Sequence, residues 1–320
     1  MPVTNADLLS DDLLALWLVE NAPIKIPFFQ AWSWQQVAGK SLIYPRTTAL
    51  APAVMMTACG TVDEQLPDLS QAEMVFVDYA TRYTICASDL DRYRNPLLLQ
   101  AILFAVAKRR ILYSYAAQLD SAGVLAAPGL PDLCAAGQLV DMGGLGLTLD
   151  CLDDAYERIT AGTGRPTLIM SHSRSLRTYR KLCRDAGFKA ERAAFKWYNP
   201  ASRRMEDGSV DAFNGTPWLA NDLCNADGTG TERTYFMVVG DDGKASPTRG
   251  VTGIVPAHLG SEMFIKRTVP ALLPGPIQPD AGPGEDTFVT MPAGIAVGSQ
   301  GALSIIQNYT TVASCGGGGG

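Results

Sequence analysis

The chain has 320 residues, of which 47% are hydrophobic and 18% charged, and its net charge is −6. This length and apolar content exclude a small scaffold that depends on disulfides or a metal, and they predict two packed units or one elongated unit. Seven cysteines without a C-x-x-C pair exclude a disulfide framework and predict reduced thiols. The acidic start of the chain lacks the basic region of a signal or transit peptide, so we expect synthesis and residence in a cytoplasm.

Residues 1–35 are predicted to form an arm. The leucine spacing from Asn5 to Glu20 predicts a short amphipathic helix, and Pro23 and Pro27 then favour an extended chain. A dense aromatic group follows that is too small to form a core of its own. We expect these rings to pack against the body of the protein or a neighbour: Phe28, Phe29, Trp32 and Trp34.

Two strands are predicted next, at Gly39–Leu50 and at Gln71–Ser88, separated by about 20 residues without regular structure. A connection of this length inside a compact domain is usually functional. A two-stranded arm cannot bury its own faces and is marginal alone. We therefore predict a projection that lies across another molecule, through the contact residues Pro52, Met55, Met56, Asp63, Glu64, Leu66 and Pro67.

The segment from Asn95 to Gly123 is the longest that can form one helix. Asn95 is a good N-cap, Pro96 suits the first helical position, and Gly123 supplies a stop. From Leu97 to Ala107 only Gln100 is polar, so this half must be covered on every face, by its own sheet or by another subunit. The apolar run is too short to span a membrane, because it ends at a basic step formed by Lys108, Arg109 and Arg110.

An α/β layer is predicted in the middle of the chain. The pattern gives a helix at Thr148–Ile159, a short buried strand in GRPTLIMS, and a second helix that starts at His172 or Ser173 and closes at Gly187. Further short strands are expected around it, with turns in NPASRRMEDGS and GDDGK and two strands about MPAGIAVGSQG. The residues from Pro270 to Gly284 and the polyglycine end are expected to be irregular.

Catalytic, cofactor and metal sites are not predicted. His172 and His258 lack metal-ligand spacing, and no G-x-S-x-G surrounds the serines next to His172. The acids Asp150, Asp153, Asp154 and Glu157 are assigned to the helix dipole rather than to a cation. No nucleotide-binding glycine motif occurs.

One segment is strongly basic: residues 165–204 hold eleven Lys or Arg and two acids. Within it a stripe follows one helix face. Such a stripe suits the phosphates of a nucleic acid, without sequence readout, or the acidic flanks of a neighbouring copy. The absence of interleaved aromatic residues favours the neighbouring copy. The stripe consists of Arg174, Arg177, Arg180, Lys181 and Arg184.

Taken in order, these features resemble the major capsid proteins of tailed bacteriophages, which share the Hong Kong 97 type fold with encapsulins. Residues 39–93 resemble the family's extended loop and the strand after it, and residues 95–123 resemble the spine helix. Residues 164–188 are similar to a strand and helix of the axial domain. In residues 213–240, GTPWLAND is similar to the family's G-x-P-ϕ-ϕ-x-N-D strand, where ϕ is hydrophobic.

The resemblance implies an α+β protein with a defined set of parts. They are an N-terminal arm at 1–35, an extended loop at 36–75, a peripheral domain with the spine helix at 76–140 and 262–312, an axial α/β domain at 141–261 and a flexible tail at 313–320. It also implies hexamers and pentamers that form an icosahedral phage head around double-stranded DNA, held without sequence specificity. Such a head is part of the virion and is assembled in the cytoplasm of the host bacterium.

The chain departs from parts of this family in two respects. No long charged helical segment precedes the arm, so we expect a separate scaffolding protein, or none, in addition to a portal protein. No lysine occurs between Ser41 and Ala107, so an isopeptide cross-link cannot start from the extended loop.

Two alternatives to the phage head remain open. One is an encapsulin-type nanocompartment shell protein. The other is a soluble α/β enzyme, which the helix, strand and helix of residues 148–186 would suit. No cofactor and no membrane association are expected.

Overall fold

A computed structural model describes residues 28–39, 41–49, 68–85, 96–122, 128–162, 164–199, 204–224, 231–240, 250–257, 263–270 and 285–311. The helices are Phe28–Ala31 (α1), Pro96–Gln118 (α2), Leu130–Leu133 (α3), Leu149–Gly162 (α4) and Ser173–Asp185 (α5). The strands are Trp34–Val37 (β1), Ser41–Ala49 (β2), Asp68–Val75 (β3), Val77–Ile85 (β4), Leu139–Asp141 (β5), Leu168–Ser171 (β6), Glu191–Asn199 (β7), Arg204–Phe213 (β8), Thr216–Ala220 (β9), Thr231–Met237 (β10), Val251–Pro256 (β11), Ile265–Pro270 (β12), Glu285–Val297 (β13) and Leu303–Thr310 (β14).

The first sheet has five strands and is organised around β13. Its path is β1-β11-β13-β12, and β4 also pairs with β13. The pairing with β4 is antiparallel and runs from Glu285↔Ile85 to Ala293↔Val77, whereas the last residues of β13 pair with β11. Helix α2 packs on β4 and β13. The long helix therefore lies on one face of this sheet.

The predicted aromatic group packs against the body of the protein, as expected. Phe28 and Trp32 are buried, and the ring centroids of Phe29 and Trp34 lie 6.2 and 5.1 Å from that of Tyr115 on α2. Aromatic pairs at these distances add to the stability that burial alone supplies. The chain before β1 is thereby held against the long helix.

The second sheet has seven strands in the order β5-β14-β10-β6-β9-β8-β7. Side chains alternate between its two faces, as strand geometry requires. In β6, Leu168 and Met170 join the core that contains α2, whereas Ile169 joins a second core under α4 and α5. Phe236 of β10 also faces the second core. The sheet therefore separates two hydrophobic cores.

The strands β2 and β3 form a two-stranded antiparallel ribbon, from Ser41↔Val75 to Ala49↔Asp68. Only Phe76 separates β3 from β4, so the ribbon leads directly into the five-stranded sheet. The predicted two-stranded arm is therefore present. The segment that connects its strands, residues 50–67, lies outside the described residues.

The long helix begins at Pro96, as predicted, but ends at Gln118, before Gly123. After Gln118 the hydrogen bonds tighten: Asp120 N donates to Ala117 O and Ser121 N donates to Gln118 O. This change to i→i+3 bonding is a common way to close a helix. The cause lies in distant residues that bind Asp120, described below.

Three strand predictions need correction. The predicted strand from Gln71 to Ser88 is two strands, because the chain changes partners at Phe76 from β2 to β13. Much of the predicted turn NPASRRMEDGS belongs to β8, which pairs with β7 along its length. The residues MPAGIAV lie inside β13, and the break comes later, in a short 3-10 turn at Gln300–Ala302.

The two sheets divide the chain differently from the predicted domain boundaries. Strand β11, placed by sequence in the axial domain, belongs to the five-stranded sheet, and β14, placed in the peripheral domain, belongs to the seven-stranded sheet. The predicted arm helix, residues 241–244 of the GDDGK turn, residues 271–284 of the predicted irregular segment and the tail fall outside the described residues, whereas Pro270 is the last residue of β12. Among the described helices, none is long and apolar enough to cross a membrane.

Candidate functional site

The C-terminal end of α2 lies where the two sheets meet. The buried side chain of Asn221, which follows β9, donates from Nδ2 to the carbonyl of Ala116 at 3.2 Å. The backbone N–H of Asn221 donates to Ser171 O at the end of β6, at 2.8 Å. A carbonyl of the last helical turn is thus satisfied by a side chain of the seven-stranded sheet. Asn221 therefore joins the long helix to that sheet.

A buried carboxylate forms the second link at this joint. Asp120 accepts hydrogen bonds from the hydroxyl of Tyr235 and from Arg233 Nη1, the latter at 3.3 Å, and the Asp120 carbonyl accepts from Arg233 at 2.8 Å. Burial, and then the negative charge of Asp120, raise the pKa of Tyr235 well above its usual value. The phenol therefore stays protonated and serves as a hydrogen-bond donor. Both partners come from β10, so this link also ties α2 to the seven-stranded sheet.

The three residues of the basic step on α2 have different surroundings. Lys108 Nζ lies 4.2 Å from the ring centroid of Phe104, and Arg109 Nε donates to Tyr113 Oη at 2.7 Å. Both cations are therefore turned towards aromatic rings of their own chain. Arg110 is exposed and lines a groove of about 560 Å³ between α2 and β4, together with Tyr79, Ala80, Thr81, Ile111, Tyr113 and Ser114. Arg110 is therefore the exposed residue of the basic step, and its side chain lies at this groove.

The predicted basic stripe lies on α5, and all five of its side chains are exposed. Arg174 lies 3.8 Å from the buried carboxylate of Glu232, and Arg180 forms a salt bridge with Asp211. The stripe is thus partly paired within the subunit. A groove of about 500 Å³ beside it is lined by Arg177, Arg180, Arg184, Lys189, Ala190 and Asp211.

Glu232 is the centre of a buried polar network under α5. Its Oε2 accepts from Ser175 Oγ at 3.1 Å, Ser175 accepts from Tyr309 Oη at 2.6 Å, and Tyr309 lies 2.7 Å from Thr234 Oγ1. Every member is thereby hydrogen-bonded, as buried polar groups normally are. The network fixes α5, and with it the basic stripe, on the sheet.

The predicted contact residues of the extended loop, Pro52 to Pro67, lie outside the described residues, so their role stays a prediction. Within the described part of the chain, no group of three His, Cys, Asp or Glu side chains is arranged to hold a metal ion. In the part of the chain that the structure describes, the features that a partner can contact include the ribbon, the groove at Arg110 and the helices α4 and α5.

No protein-family model matches the sequence, and no curated protein is significantly similar to it. Solved structures do match. The holo-SrpI encapsulin complex from Synechococcus elongatus has a TM-score of 0.67 at 16% identity, over 96% of this chain and 98% of that chain. The capsid of an empty GTA particle has a TM-score of 0.59 at 13% identity, over 90% of this chain and 91% of that chain. Mycobacterium phage Cain has a TM-score of 0.58 at 13% identity, over 98% and 100%.

The chain has the Hong Kong 97 capsid fold. The matches extend over nearly the whole of both chains in each comparison, so the Hong Kong 97 fold accounts for both sheets together and not for one local motif. The resemblance recognised in the sequence is thereby confirmed at the level of the fold.

The structure also gives a physical reason for the N-D pair of the GTPWLAND motif. Asn221 holds the end of α2, and Asp222 Oδ1 accepts from Ser173 N at 3.1 Å at the start of α5. Partial burial raises the pKa of Asp222, but the hydrogen bonds from Ser173 and the charges of His172 and Arg177 lower it more. The pKa of Asp222 is therefore below its usual value. Sequence reasoning identified the motif without assigning these roles, because both partners are distant along the chain.

Replacing Asn221 with alanine is expected to lower the free energy of unfolding by about 1–3 kcal/mol, because the buried carbonyl of Ala116 loses its donor. Urea unfolding of the unassembled subunit measures this change. As a matched control, Asp222→Asn keeps the side-chain oxygen that caps α5 and should cost less than about 1 kcal/mol. Equal losses in the two variants would contradict the role given to Asn221.

Proposed function

We propose that this chain is a shell protein, the major capsid protein of a phage-type head that assembles from hexamers and pentamers. The near-complete structural match to chains of a capsid, of phages and of an encapsulin carries this proposal. A single subunit also leaves part of the apolar half of α2 uncovered. Ala101 is exposed, and Leu103, Ala105 and Val106 are only half-buried. Apolar helix faces of this kind are expected to be covered by another subunit.

The ribbon supports the same proposal. Two strands alone do not bury a hydrophobic face, so the ribbon gains stability when a second molecule covers it. Its position at the margin of the five-stranded sheet suits the extended loop of a capsid protein. We propose that the loop residues Pro52, Met55, Met56, Asp63, Glu64, Leu66 and Pro67 lie on the adjacent subunit.

The two sheets correspond to the two units of the proposed subunit. The five-stranded sheet with α2 would form the peripheral domain, and the seven-stranded sheet with α4 and α5 would form the axial domain at the capsomer centre. In this arrangement β11 belongs to the peripheral domain and β14 to the axial domain. The proposed partners are further copies of the chain, a separate scaffolding protein or none, a portal protein, and packaged double-stranded DNA. The proposed location is the virion, after assembly in the host bacterial cytoplasm.

An encapsulin-type nanocompartment is the second candidate, favoured by the TM-score of 0.67 to the encapsulin from Synechococcus elongatus. Both candidates require a closed shell and differ in what the shell contains. Purified particles with DNA and a portal support the phage head, whereas small closed shells around a protein cargo support the compartment. The similar structures in both groups are those of shell proteins, so no catalytic role is proposed.

Negative-stain microscopy of the purified chain tests the proposed function directly. We expect closed particles of uniform diameter, because each subunit interface of a stable shell buries well over about 1,000 Å². A monodisperse monomer at micromolar concentration would contradict a shell and would favour the α/β enzyme.

Replacing residues 52–67 with a short Gly-Ser linker is expected to abolish shell formation while leaving the subunit folded. The change removes the proposed clamp and keeps β2 and β3, which end at Ala49 and begin at Asp68. Microscopy measures the shells, and far-UV circular dichroism with urea unfolding checks the fold. Normal shells from a folded variant would show that the loop does not hold neighbouring subunits together.

A further inference from the structure

Helices α4 and α5 lie on the same face of the seven-stranded sheet. Leu152 and Ile159 of α4 share one hydrophobic core with Leu176 and Tyr179 of α5 and with Phe236 of β10. The strands β5 and β6, which precede these helices, run in the same direction. Strand β5 is parallel to β14, which is antiparallel to β10, and β6 is also antiparallel to β10. The two helices therefore pack over one core on the same face of the sheet.

The outward faces of the two helices carry opposite charges at the same spacing. An acidic stripe on α4 consists of Asp150, Asp153, Asp154 and Glu157, all exposed. The exposed side chains of the basic stripe that occupy α5 at the same i, i+3, i+4, i+7 positions are Arg177, Arg180, Lys181 and Arg184. Side chains at this spacing lie on one face of a helix. Each subunit thus presents two matched rows of charge on one surface.

Part of each row is paired inside the subunit. Asp154 forms a salt bridge with Arg158, and Arg180 forms one with Asp211. Within the described residues, Arg177, Lys181 and Arg184 form no salt bridge. Two of these three cations, with Arg180 and Lys189, line the groove of about 500 Å³. The basic side thus has both unpaired charge and a concave surface that a partner can enter.

We propose that the basic stripe of one subunit binds the acidic stripe on α4 of a second copy of this chain. This inference rests on the proposed shell function and names the partner of the basic stripe within it. Each copy has one stripe of each sign, so identical subunits are complementary to one another through this pairing.

A strand of DNA fits this surface less well than a neighbouring subunit. A polyanion along α5 would lie next to the acidic stripe of the same subunit, which repels it. The groove itself contains the carboxylate of Asp211. A neighbour that carries discrete carboxylates at matching spacing avoids both conflicts.

The charges are expected to act mainly on orientation and rate. An exposed ion pair contributes about 0.2–1 kcal/mol, so a few pairs cannot hold a shell together without the apolar contacts. Complementary charges nevertheless accelerate association and disfavour arrangements that place like charges together. Because exposed charges are screened, the effect should weaken strongly between about 0.05 and 0.5 M salt.

Charge reversal tests the pairing. The first variant, Arg177→Glu with Arg184→Glu, reverses the basic stripe, and the second, Asp150→Lys with Glu157→Lys, reverses the acidic stripe. The third variant combines all four changes. The matched control, Arg165→Glu with Lys196→Glu, changes the net charge as the first variant does, at exposed positions outside both stripes. Assembly of each protein is followed by light scattering at low and high salt, with microscopy of the products.

We expect each reversed variant to assemble at least about tenfold more slowly than the wild type at low salt, where steering by charge is strongest. The combined variant should recover to within about threefold, because its opposite charges again face each other, and the control should match the wild type. At high salt all the proteins should converge.

Three results would overturn the inference. One is assembly of the first variant at the wild-type rate. If this variant also loses copurifying nucleic acid, the basic stripe binds a polyanion, and the shell function is unaffected. Another is a combined variant as slow as the single reversals. The third is a wild-type chain that stays monomeric at every salt concentration, which would refute the shell function as well.

Discussion

Replacing Tyr115 with alanine is expected to lower the free energy of unfolding of the unassembled subunit by about 3–5 kcal/mol. Tyr115 is fully buried between α2 and the five-stranded sheet, and its hydroxyl donates to Gly294 O at 3.3 Å. Its ring also contacts Trp34 and Tyr79, with centroids 5.1 and 5.6 Å away. The variant therefore loses buried area, aromatic contacts and a hydrogen bond together, which a shift in the urea midpoint measures.

Tyr113 supplies the matched control for this change. It lies on the same helix, two residues away, but is only half-buried, and it accepts a hydrogen bond from Arg109. Tyr113→Ala should cost less than about 1 kcal/mol, since its ring is only partly buried and its hydroxyl is bonded within the same helix. Similar losses in the two variants would show that helix propensity, rather than the aromatic core, accounts for the effect.

Replacing Asp120 with alanine is expected to cost about 3 kcal/mol. The change leaves the fully buried Tyr235 hydroxyl without this acceptor and takes a negative charge from Arg233. Removing one partner of a buried ion pair typically costs about 3–5 kcal/mol, and the partial exposure of Arg233 places this case at the lower end. Urea unfolding of the unassembled subunit measures the loss.

Two further variants separate the charge of Asp120 from its hydrogen bonds. Asp120→Asn keeps an oxygen for Tyr235, so about 1–2 kcal/mol of the loss should remain. Asp185→Ala removes an exposed carboxylate and should change the free energy of unfolding by less than about 0.5 kcal/mol. An Asp120→Ala subunit as stable as the wild type would show that the joint between α2 and β10 does not depend on this charge.

Features with local causes were predicted well from the sequence. Helix α5 has His172 as its N-cap, with the imidazole accepting from Arg174 N, and it closes at Gly187, whose φ of 83° suits glycine. The start of α2 at Pro96 follows from the fixed φ of proline and its missing N–H. The signals for these boundaries lie within a few residues of the boundaries themselves.

Features with distant causes were not predicted. Helix α2 ends before Gly123 because Asp120 is bound by Arg233 and Tyr235, which no local pattern near residue 120 reveals. The division at Phe76 reflects a change of pairing partner, from β2 to β13. Tertiary pairing decides such boundaries, because intrinsic strand preference depends strongly on context.

The candidate site also has features with local causes, which were predicted, and features with distant causes, which were not. The basic stripe was predicted because helical spacing places its members on one face, and the structure shows all of them exposed. The pairing of Arg174 with Glu232 and of Arg180 with Asp211 was not predicted, since both carboxylates come from strands later in the chain. The two roles of the N-D pair were missed for the same reason.

The position of β14 has a consequence for the timing of synthesis. This last strand lies between β5 and β10, and Ile306 and Tyr309 on it complete the core beneath α4. A ribosome adds about 5–20 residues per second, so several seconds pass between the emergence of β10 and that of β14. Until β14 is in place, α4 lacks one of the strands on which it packs. A nascent chain therefore cannot present its acidic stripe in the finished geometry, and association with neighbours is delayed until β14 has been synthesised.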